Sequence, residues 1–226
     1  MKRPLTGFGV AVTLGLLAIA GLHAAPPAAA PVPEPDEAVS LHYRAYLAGT
    51  PVGRATVRLA VAGDGYRIEG EAASEGWVSG VTRWRNRFRA EGRLTDAAPL
   101  PRDFSYTETD RGKEHRVSVR DRVLQVVKNG KRRNPRPAPD GADVLSALFV
   151  QPSCLPERLV HTGRHLYRLT RLAGGDGVCR YRVVDDDDDA FEVAVDLIRH
   201  AGLTVPGRIT FRSWVSGSIE LAAGDS

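Results

Sequence analysis

The sequence predicts a mainly β domain, in which an antiparallel meander forms a strongly curved sheet, a half-barrel or a barrel. Two observations lead to this prediction. Between residues 41 and 215, short runs that alternate apolar and polar side chains are separated by turn residues. A single apolar stripe with helical spacing interrupts them, and it predicts one helix at about 142–151 that packs on the sheet or plugs it.

The start of the chain is typical of a secretory signal peptide. Two basic residues precede an apolar run at 10–20, which is shorter than the roughly twenty residues of a spanning helix. Small residues follow, so we expect a signal peptide at 1–24, and the alternative is an uncleaved membrane anchor. A proline- and alanine-rich linker at 25–38 then precedes a single β-rich domain at 39–226. The mature protein is therefore expected to be periplasmic and to lack a transmembrane segment.

The alternating runs predict the strands in chain order. They lie at 41–47, 52–61, 66–73, 82–94, 104–109, 114–120, 123–127, 165–172, 178–184, 191–199 and 208–215. Asn129 and Gly130 form a strong hairpin cue. The residues that follow at 131–139 are rich in proline, so we expect the cue only to end a strand.

The predicted helix begins near an aspartate, because Asp140 or Asp143 is a good N-cap. Its apolar stripe consists of Val144, Leu145, Leu148 and Phe149. Pro152 ends it.

The stretch at 82–94 has the clearest alternation in the chain. Its arginines fall on every second residue, at Arg83, Arg85, Arg87 and Arg89, and Trp84 and Phe88 lie between them. A strand would place the guanidinium groups on one face and the aromatic rings on the other. A helix is the competing interpretation. In the strand interpretation, Glu69 and Glu71 of the preceding run lie across from Arg85 and Arg87 and help to set the register.

The two cysteines, Cys154 and Cys179, enclose 24 residues. An even number of cysteines in an exported chain predicts a disulfide. Two free thiols or half of a metal site are the alternatives.

The charge of the chain limits its partners. The formal net charge is +4, and most of the basic residues are arginine. A basic exported protein is suited to anionic lipid, lipopolysaccharide or acidic glycan, and the alternative is that the surface charge serves solubility alone. The densest basic patch, at 128–136, has no interleaved aromatic residues, so nucleic acid is not expected as a partner.

No motif in the chain predicts catalysis, a cofactor or a metal. The mature chain contains no Gly-x-Ser-x-Gly motif and no phosphate-binding glycine loop. His161 and His165 have a helical metal-ligand spacing, but Gly163 interrupts it. The five consecutive aspartates at 185–189 lack the spacing of a calcium loop and predict a solvated hairpin tip.

Several short motifs resemble a known family of exported envelope proteins. They are AYLAGTPVGRA at 45–55, GWVSGV at 76–81, PRDFSY at 101–106, DVLSALF at 143–149 and SWVS at 213–216. In order and spacing they are similar to the domain of unknown function 3108 family. The resemblance implies a periplasmic, mostly antiparallel β domain similar to the curved half-barrels of lipoprotein carriers, and it supplies no catalytic residues. Residues 217–219 depart from the family pattern of an aspartate, a basic residue and a proline.

These observations favour a non-catalytic binding module for an amphiphilic or anionic envelope ligand, either a lipid or a glycan. Trp84, Phe88 and Trp214 are the predicted wall residues, and Arg85 and Arg87 are the predicted head-group contacts. One alternative is an envelope scaffold that docks a protein partner and has no cavity. Another is a hydrolase whose site no motif marks.

Overall fold

A computed structural model describes residues 38–95, 98–150, 153–155, 157–175, 177–212 and 216–222. The strands are β1 (Val39–Leu47), β2 (Thr50–Ala62), β3 (Gly65–Ser74), β4 (Arg85–Leu94), β5 (Pro99–Asp110), β6 (Lys113–Arg120), β7 (Val123–Lys128), β8 (Lys131–Arg132), β9 (Arg136–Pro137), β10 (Ala142–Asp143), β11 (Glu157–His161), β12 (Leu166–Arg171), β13 (Val178–Val184), β14 (Ala190–His200), β15 (Leu203–Arg212) and β16 (Ser216–Leu221). The helices are α1 (Val78–Val81) and α2 (Val144–Phe149).

All the strands belong to one curved sheet, as the alternating pattern predicts. Its order is β10-β11-β12-β13-β14-β15-β16-β1-β2-β3-β4-β5-β6-β7-β8, and β9 also pairs with β7. The pairings are antiparallel apart from that of β10 with β11. Because β16 lies beside β1, two consecutive meanders join into one surface. The sheet curls until β10 contacts β5, and Gly163 packs against Val117 and Leu124 from the other end of the order. This is a barrel-like fold.

Three bulges bend the sheet, and each follows a proline. The extra residues are Val52 after Pro51, Arg102 after Pro101 and Gly207 after Pro206. Proline has no N–H to donate to the ladder, so a strand tolerates it where the pairing is already interrupted. The bulges increase the local bend and help the sheet to curl.

Aromatic rings cover glycines on neighbouring strands at three places. The cross-strand pairs are Phe88 with Gly70, Tyr66 with Gly92, and Phe211 with Gly217. A Cβ placed on Gly70 would lie 2.7 Å from the Phe88 ring, and one on Gly217 would lie 2.1 Å from the Phe211 ring. The absence of a side chain lets each ring lie against the backbone of a strongly bent sheet.

Helix α2 plugs the concave side of the sheet, as predicted, and is shorter than the expected span of 142–151. It packs against β3, β4, β5, β10, β11 and β15, and buries Leu145 and Phe149 in the main core. Asp143 is its N-cap, and its Oδ1 accepts hydrogen bonds from Leu145 N at 3.0 Å and Ser146 N at 2.9 Å. The predicted disulfide between Cys154 and Cys179 is present, with an S–S distance of 1.99 Å.

Several local expectations were wrong. Asn129 and Gly130 do make a hairpin, because Lys131 and Arg132 turn back to pair with β7. Strands β11 and β16 and helix α1 lie where no element was predicted. In the pairing of β3 with β4, Glu71 lies opposite Arg87, but Glu69 lies opposite Arg89. The predicted signal peptide and nearly all of the predicted linker lie outside the described residues.

Candidate functional site

The arginines of β4 project from the outer face of the sheet, as the alternation predicts. Arg85, Arg87 and Arg89 are exposed, whereas Phe88 is half-buried against the core. The strand begins at Arg85, so Trp84 lies just before it and is half-buried. The outer face is therefore basic where β4 crosses it.

Pairing places further arginines in line with Arg85. Reading across the sheet from β15 to β4, the outer-face row is Arg208, Glu220, Arg44, Arg54, Ala73 and Arg85. Arg44 lies directly opposite Arg54, and like charges in that position repel. Glu220 forms an ion pair with Arg208 at 3.2 Å. Among the described residues, no ion pair neutralises Arg44, Arg54 or Arg85.

A small hollow of about 140 Å³ opens among these guanidinium groups. Arg54, Arg85 and Arg87 line it together with Glu71. Its floor includes Ala73, whose small side chain leaves space between Arg54 on one neighbouring strand and Arg85 on the other. Three guanidinium groups around one space are suited to a carboxylate, sulfate or phosphate.

A larger groove of about 680 Å³ lies on the same face, across β13 to β16 and β1. Its floor is a row of small residues, Ala194, Thr210 and Ser218, on three adjacent strands. Arg180 and Tyr46 continue this row at its two ends. The remaining charged lining residues are Glu192, Arg208, Arg212 and Glu220. The volume is typical of a small-ligand site, and an aromatic ring beside arginines and hydroxyl groups is suited to a polar, anionic ligand.

Near the C-terminal end of β4, a buried carboxylate on the outer face of the sheet neutralises neighbouring arginines. Glu91 is 7% exposed and forms ion pairs with Arg67 at 3.7 Å, Arg89 at 2.8 Å and Arg102. Burial would raise the pKa of Glu91, but hydrogen bonds from Arg89 and Arg102 outweigh burial and lower that pKa to about 2. The arginines at this end therefore form ion pairs, whereas Arg44, Arg54 and Arg85 form none within the described residues.

The residues predicted to form one site do not all come together. Arg85 and Arg87 share the small hollow, but Phe88 points to the opposite face and packs against the core. Trp84 lines none of the hollows described for this chain. Trp214 lies outside the described residues. Phe88 and the two arginines thus lie on opposite sides of β4, because successive side chains alternate.

Sequence reasoning missed Arg44, Arg54, Arg180, Arg208 and Tyr46. Each occupies an outward position in an alternating run, which is the only local signal. Their grouping depends on which strands are neighbours and on the bulge at Val52, which shifts the β1–β2 register by one residue.

The interior of the described domain contains a buried polar network beneath helix α2. Ser146 Oγ donates to Asp143 Oδ2 at 2.6 Å and lies 2.7 Å from the Tyr66 hydroxyl. Asp143 and Ser146 are fully buried, and burial raises the pKa of Asp143 to about 6 despite its hydrogen bonds. Neither residue lines a described hollow, so this serine is suited to holding helix α2 rather than to acting as a nucleophile.

Two lesser features lie elsewhere among the described residues. An apolar hollow of about 240 Å³ opens at the end of the sheet that carries the β4–β5 and β14–β15 connections. It is lined by Leu59, Val61, Phe149 and Leu203, with Arg199 among its polar residues. His165, Asp186 and Asp187 come together at the surface, and His165 Nδ1 lies 3.2 Å from Asp186 Oδ1. Helices long and apolar enough to cross a membrane are not found in the described part of the chain.

Comparison with known proteins yields two matches. The chain aligns with the structure of a beta-barrel-like protein of domain of unknown function DUF1849 from Brucella abortus, with a TM-score of 0.46 and 10% sequence identity, over 81% of this chain and 96% of that one. No curated protein matches the chain. Residues 42–150 match the family described as protein of unknown function (DUF3108), and this range includes four of the five motifs noted in the sequence. The resemblance of the chain to the DUF3108 family of proteins of unknown function is thus confirmed over residues 42–150.

Proposed function

We propose that the protein is an exported, non-catalytic binding module that holds an anionic envelope glycan on the outer face of its sheet. The observation that carries this proposal is the outer-face row in which Arg44, Arg54 and Arg85 lie within three strand spacings and share no carboxylate partner within the described residues. The disulfide is consistent with export, because disulfides persist in oxidising compartments.

Repulsion between Arg44 and Arg54 destabilises the free protein, since neither guanidinium group forms an ion pair within the described residues. An anion placed between them removes this repulsion and gains charge-assisted hydrogen bonds. Ligand binding that is stronger in the folded than in the unfolded state also raises stability by mass action. The surface is therefore built to be more stable when it is occupied.

The shape of the surface favours an elongated ligand over an isolated ion. From β15 to β4 the row spans five strand spacings, or roughly 24 Å. The large groove lies along one part of the row and the small hollow along the other. A chain of sugars with repeated carboxylate or sulfate groups would contact both, with its rings against Tyr46 and its anionic groups at the arginines.

The test compares an acidic polysaccharide, polygalacturonate, with neutral dextran in calorimetric titrations. Replacing Arg54→Gln should weaken polygalacturonate binding about tenfold, because one charge-assisted hydrogen-bonding group is lost. Arg122→Gln is the matched control, since Arg122 is exposed and lies in the distant β6–β7 turn. Equal affinity for dextran and polygalacturonate, or an equal effect of both variants, would refute the proposal.

One observation favours an amphiphilic ligand, such as a lipid, as a second candidate. It is the apolar hollow that has Arg199 among its lining residues. A fatty acid could place its tail against Leu203 and its carboxylate near Arg199. This second candidate would be supported if decanoate displaced a fluorescent fatty acid from the wild-type protein and if Leu203→Asp no longer bound the fluorescent fatty acid. No displacement would exclude it without affecting the glycan proposal.

A further inference from the structure

One end of the sheet carries exposed apolar side chains that the outer-face site does not use. In an antiparallel meander the connections alternate between the two ends of the sheet. One end therefore carries the β1–β2 turn, the β3–β4 connection at 75–84, the β5–β6 turn and the β7–β8 turn. We name it the connection end, after the long connection at 75–84. At this end Trp77 is 64% exposed and Val81 is 57% exposed. Apolar side chains that are exposed together, rather than singly, mark interaction surfaces.

The 75–84 connection is held in place rather than left loose. Glu75 N donates to Val52 O at 3.0 Å, which ties it to β2. Thr82 Oγ1 donates to Asp110 Oδ1 at 2.8 Å, and Arg111 donates to Val81 O, which tie it to the β5–β6 turn. Helix α1 thereby presents Trp77 and Val81 outward from a fixed platform, so little ordering entropy is lost when they are buried.

Exposed cations lie at the same end of the sheet as the two apolar side chains. Exposed basic residues at the connection end are Arg83, Arg111, Lys113, Lys128, Lys131, Arg132 and Arg133. The nearby carboxylate of Asp110 is already engaged by Thr82 and Arg83 N. The aspartates at 185–189 lie at the same end of the sheet, but between β13 and β14. A negative surface repels them, so the protein is expected to approach such a surface with the β4–β8 side of this end tilted towards it.

We infer that the connection end docks onto an anionic lipid bilayer, with Trp77 and Val81 buried at the level of the head groups and the surrounding cations contacting lipid phosphates. Tryptophan is suited to this position because its ring is apolar and its indole N–H is polar. Each basic residue near an anionic surface strengthens binding about fivefold. This inference does not rest on the glycan proposal, since it uses a different set of residues and a different ligand.

The test is co-sedimentation of the full chain with vesicles of phosphatidylcholine alone and with vesicles containing equal parts of phosphatidylcholine and phosphatidylglycerol. The wild-type protein should sediment with the anionic vesicles at least tenfold more strongly than with the neutral ones. The double variant Trp77→Ser with Val81→Ser should lose about tenfold in binding to the anionic vesicles.

The matched control is the double variant Leu100→Ser with Val123→Ser. These two side chains are 61% and 48% exposed, and they lie at the opposite end of the sheet. The control variant should bind like the wild type. Equal losses in the two double variants, or no preference of the wild type for anionic vesicles, would overturn the inference.

A second measurement reports on the connection itself. Brominated lipids quench tryptophans that enter the bilayer, and Trp77→Phe should remove most of this quenching. Quenching that persists in Trp77→Phe would come from Trp84 or Trp214, would show that a different part of the chain enters the bilayer, and would overturn the inference. Binding of polygalacturonate should be unchanged by Trp77→Phe, which separates this test from that of the glycan proposal.

Discussion

Glu91 offers the sharpest test of the charge balance on the outer face. Its carboxylate is almost fully buried and contacts Arg67, Arg89 and Arg102. The pKa of Glu91 is about 2 in the folded protein, compared with an ordinary value of 4.5. This difference corresponds to about 3 kcal/mol of folding free energy at neutral pH. The variant Glu91→Gln should therefore lose about 3 kcal/mol of unfolding free energy at pH 7.

The assay is urea denaturation, with Glu69→Gln as the control. Glu69 lies on the same face and pairs with Arg89 at 3.4 Å, but its side chain is 32% exposed. Partly exposed ion pairs contribute little, so the control should lose about 0.5 kcal/mol.

The pH dependence supplies the refuting result. Because the pKa of Glu91 is lowered on folding, its contribution is complete above pH 4.5 and disappears as the pH falls through 2. The difference between the wild type and Glu91→Gln should fall below half of its neutral value by about pH 3. A difference that stays constant over this range, or one under about 1 kcal/mol at pH 7, would show that the arginines do not stabilise the carboxylate.

Four further predictions follow from particular contacts. Asp143→Ala should cost about 2 kcal/mol in urea denaturation, because two backbone N–H groups lose their N-cap acceptor. The pKa of Asp143 is raised to about 6 on folding, so its contribution to stability decreases as the pH rises from 3.8 to 6, and Asp143→Asn should remove this component from the pH profile. Reducing the disulfide between Cys154 and Cys179, or replacing both residues by serine, should lower the unfolding free energy by about 3 kcal/mol, measured by the shift in urea midpoint. Gly70→Ala should cost about 1–3 kcal/mol by thermal denaturation, since its Cβ would lie 2.2 Å from Thr56 O, whereas Gly175→Ala has open space and should be neutral.

The face of the sheet on which each strand residue lies was predictable from the sequence. Arg85 and Arg87 were placed on the solvent face and Phe88 on the core face because a strand has a period of two, and a wrong assignment would bury guanidinium groups. An N-cap at Asp140 or Asp143 was predictable for a similarly local reason, and the structure selects Asp143, whose oxygen meets N–H groups only two and three residues away.

The strand boundaries are less predictable where proline occurs. The predicted strands at 52–61, 104–109 and 208–215 begin after Pro51, Pro101 and Pro206. The structure extends β2, β5 and β15 through these residues, because bulges accept a residue without an N–H.

The bulge at Val52 also decides the candidate site. If the register of the β1–β2 turn continued without it, Arg44 would lie opposite Gly53 rather than opposite Arg54. One extra residue therefore creates the repelling arginine pair. Nothing local in the sequence marks that consequence, since it depends on the geometry of two paired strands.

The sequence by itself determined which side chains face inward, where helix α2 begins and which cysteines are available to pair, because each depends on neighbours a few residues away or on a choice of only two partners. Only the tertiary structure decided that β16 lies beside β1 and that arginines from β15, β1, β2 and β4 share one row. Backbone hydrogen bonds are alike for every pair of strands, so strand order is set by closure of the whole sheet around α2 and its core, and no local stretch of sequence encodes it.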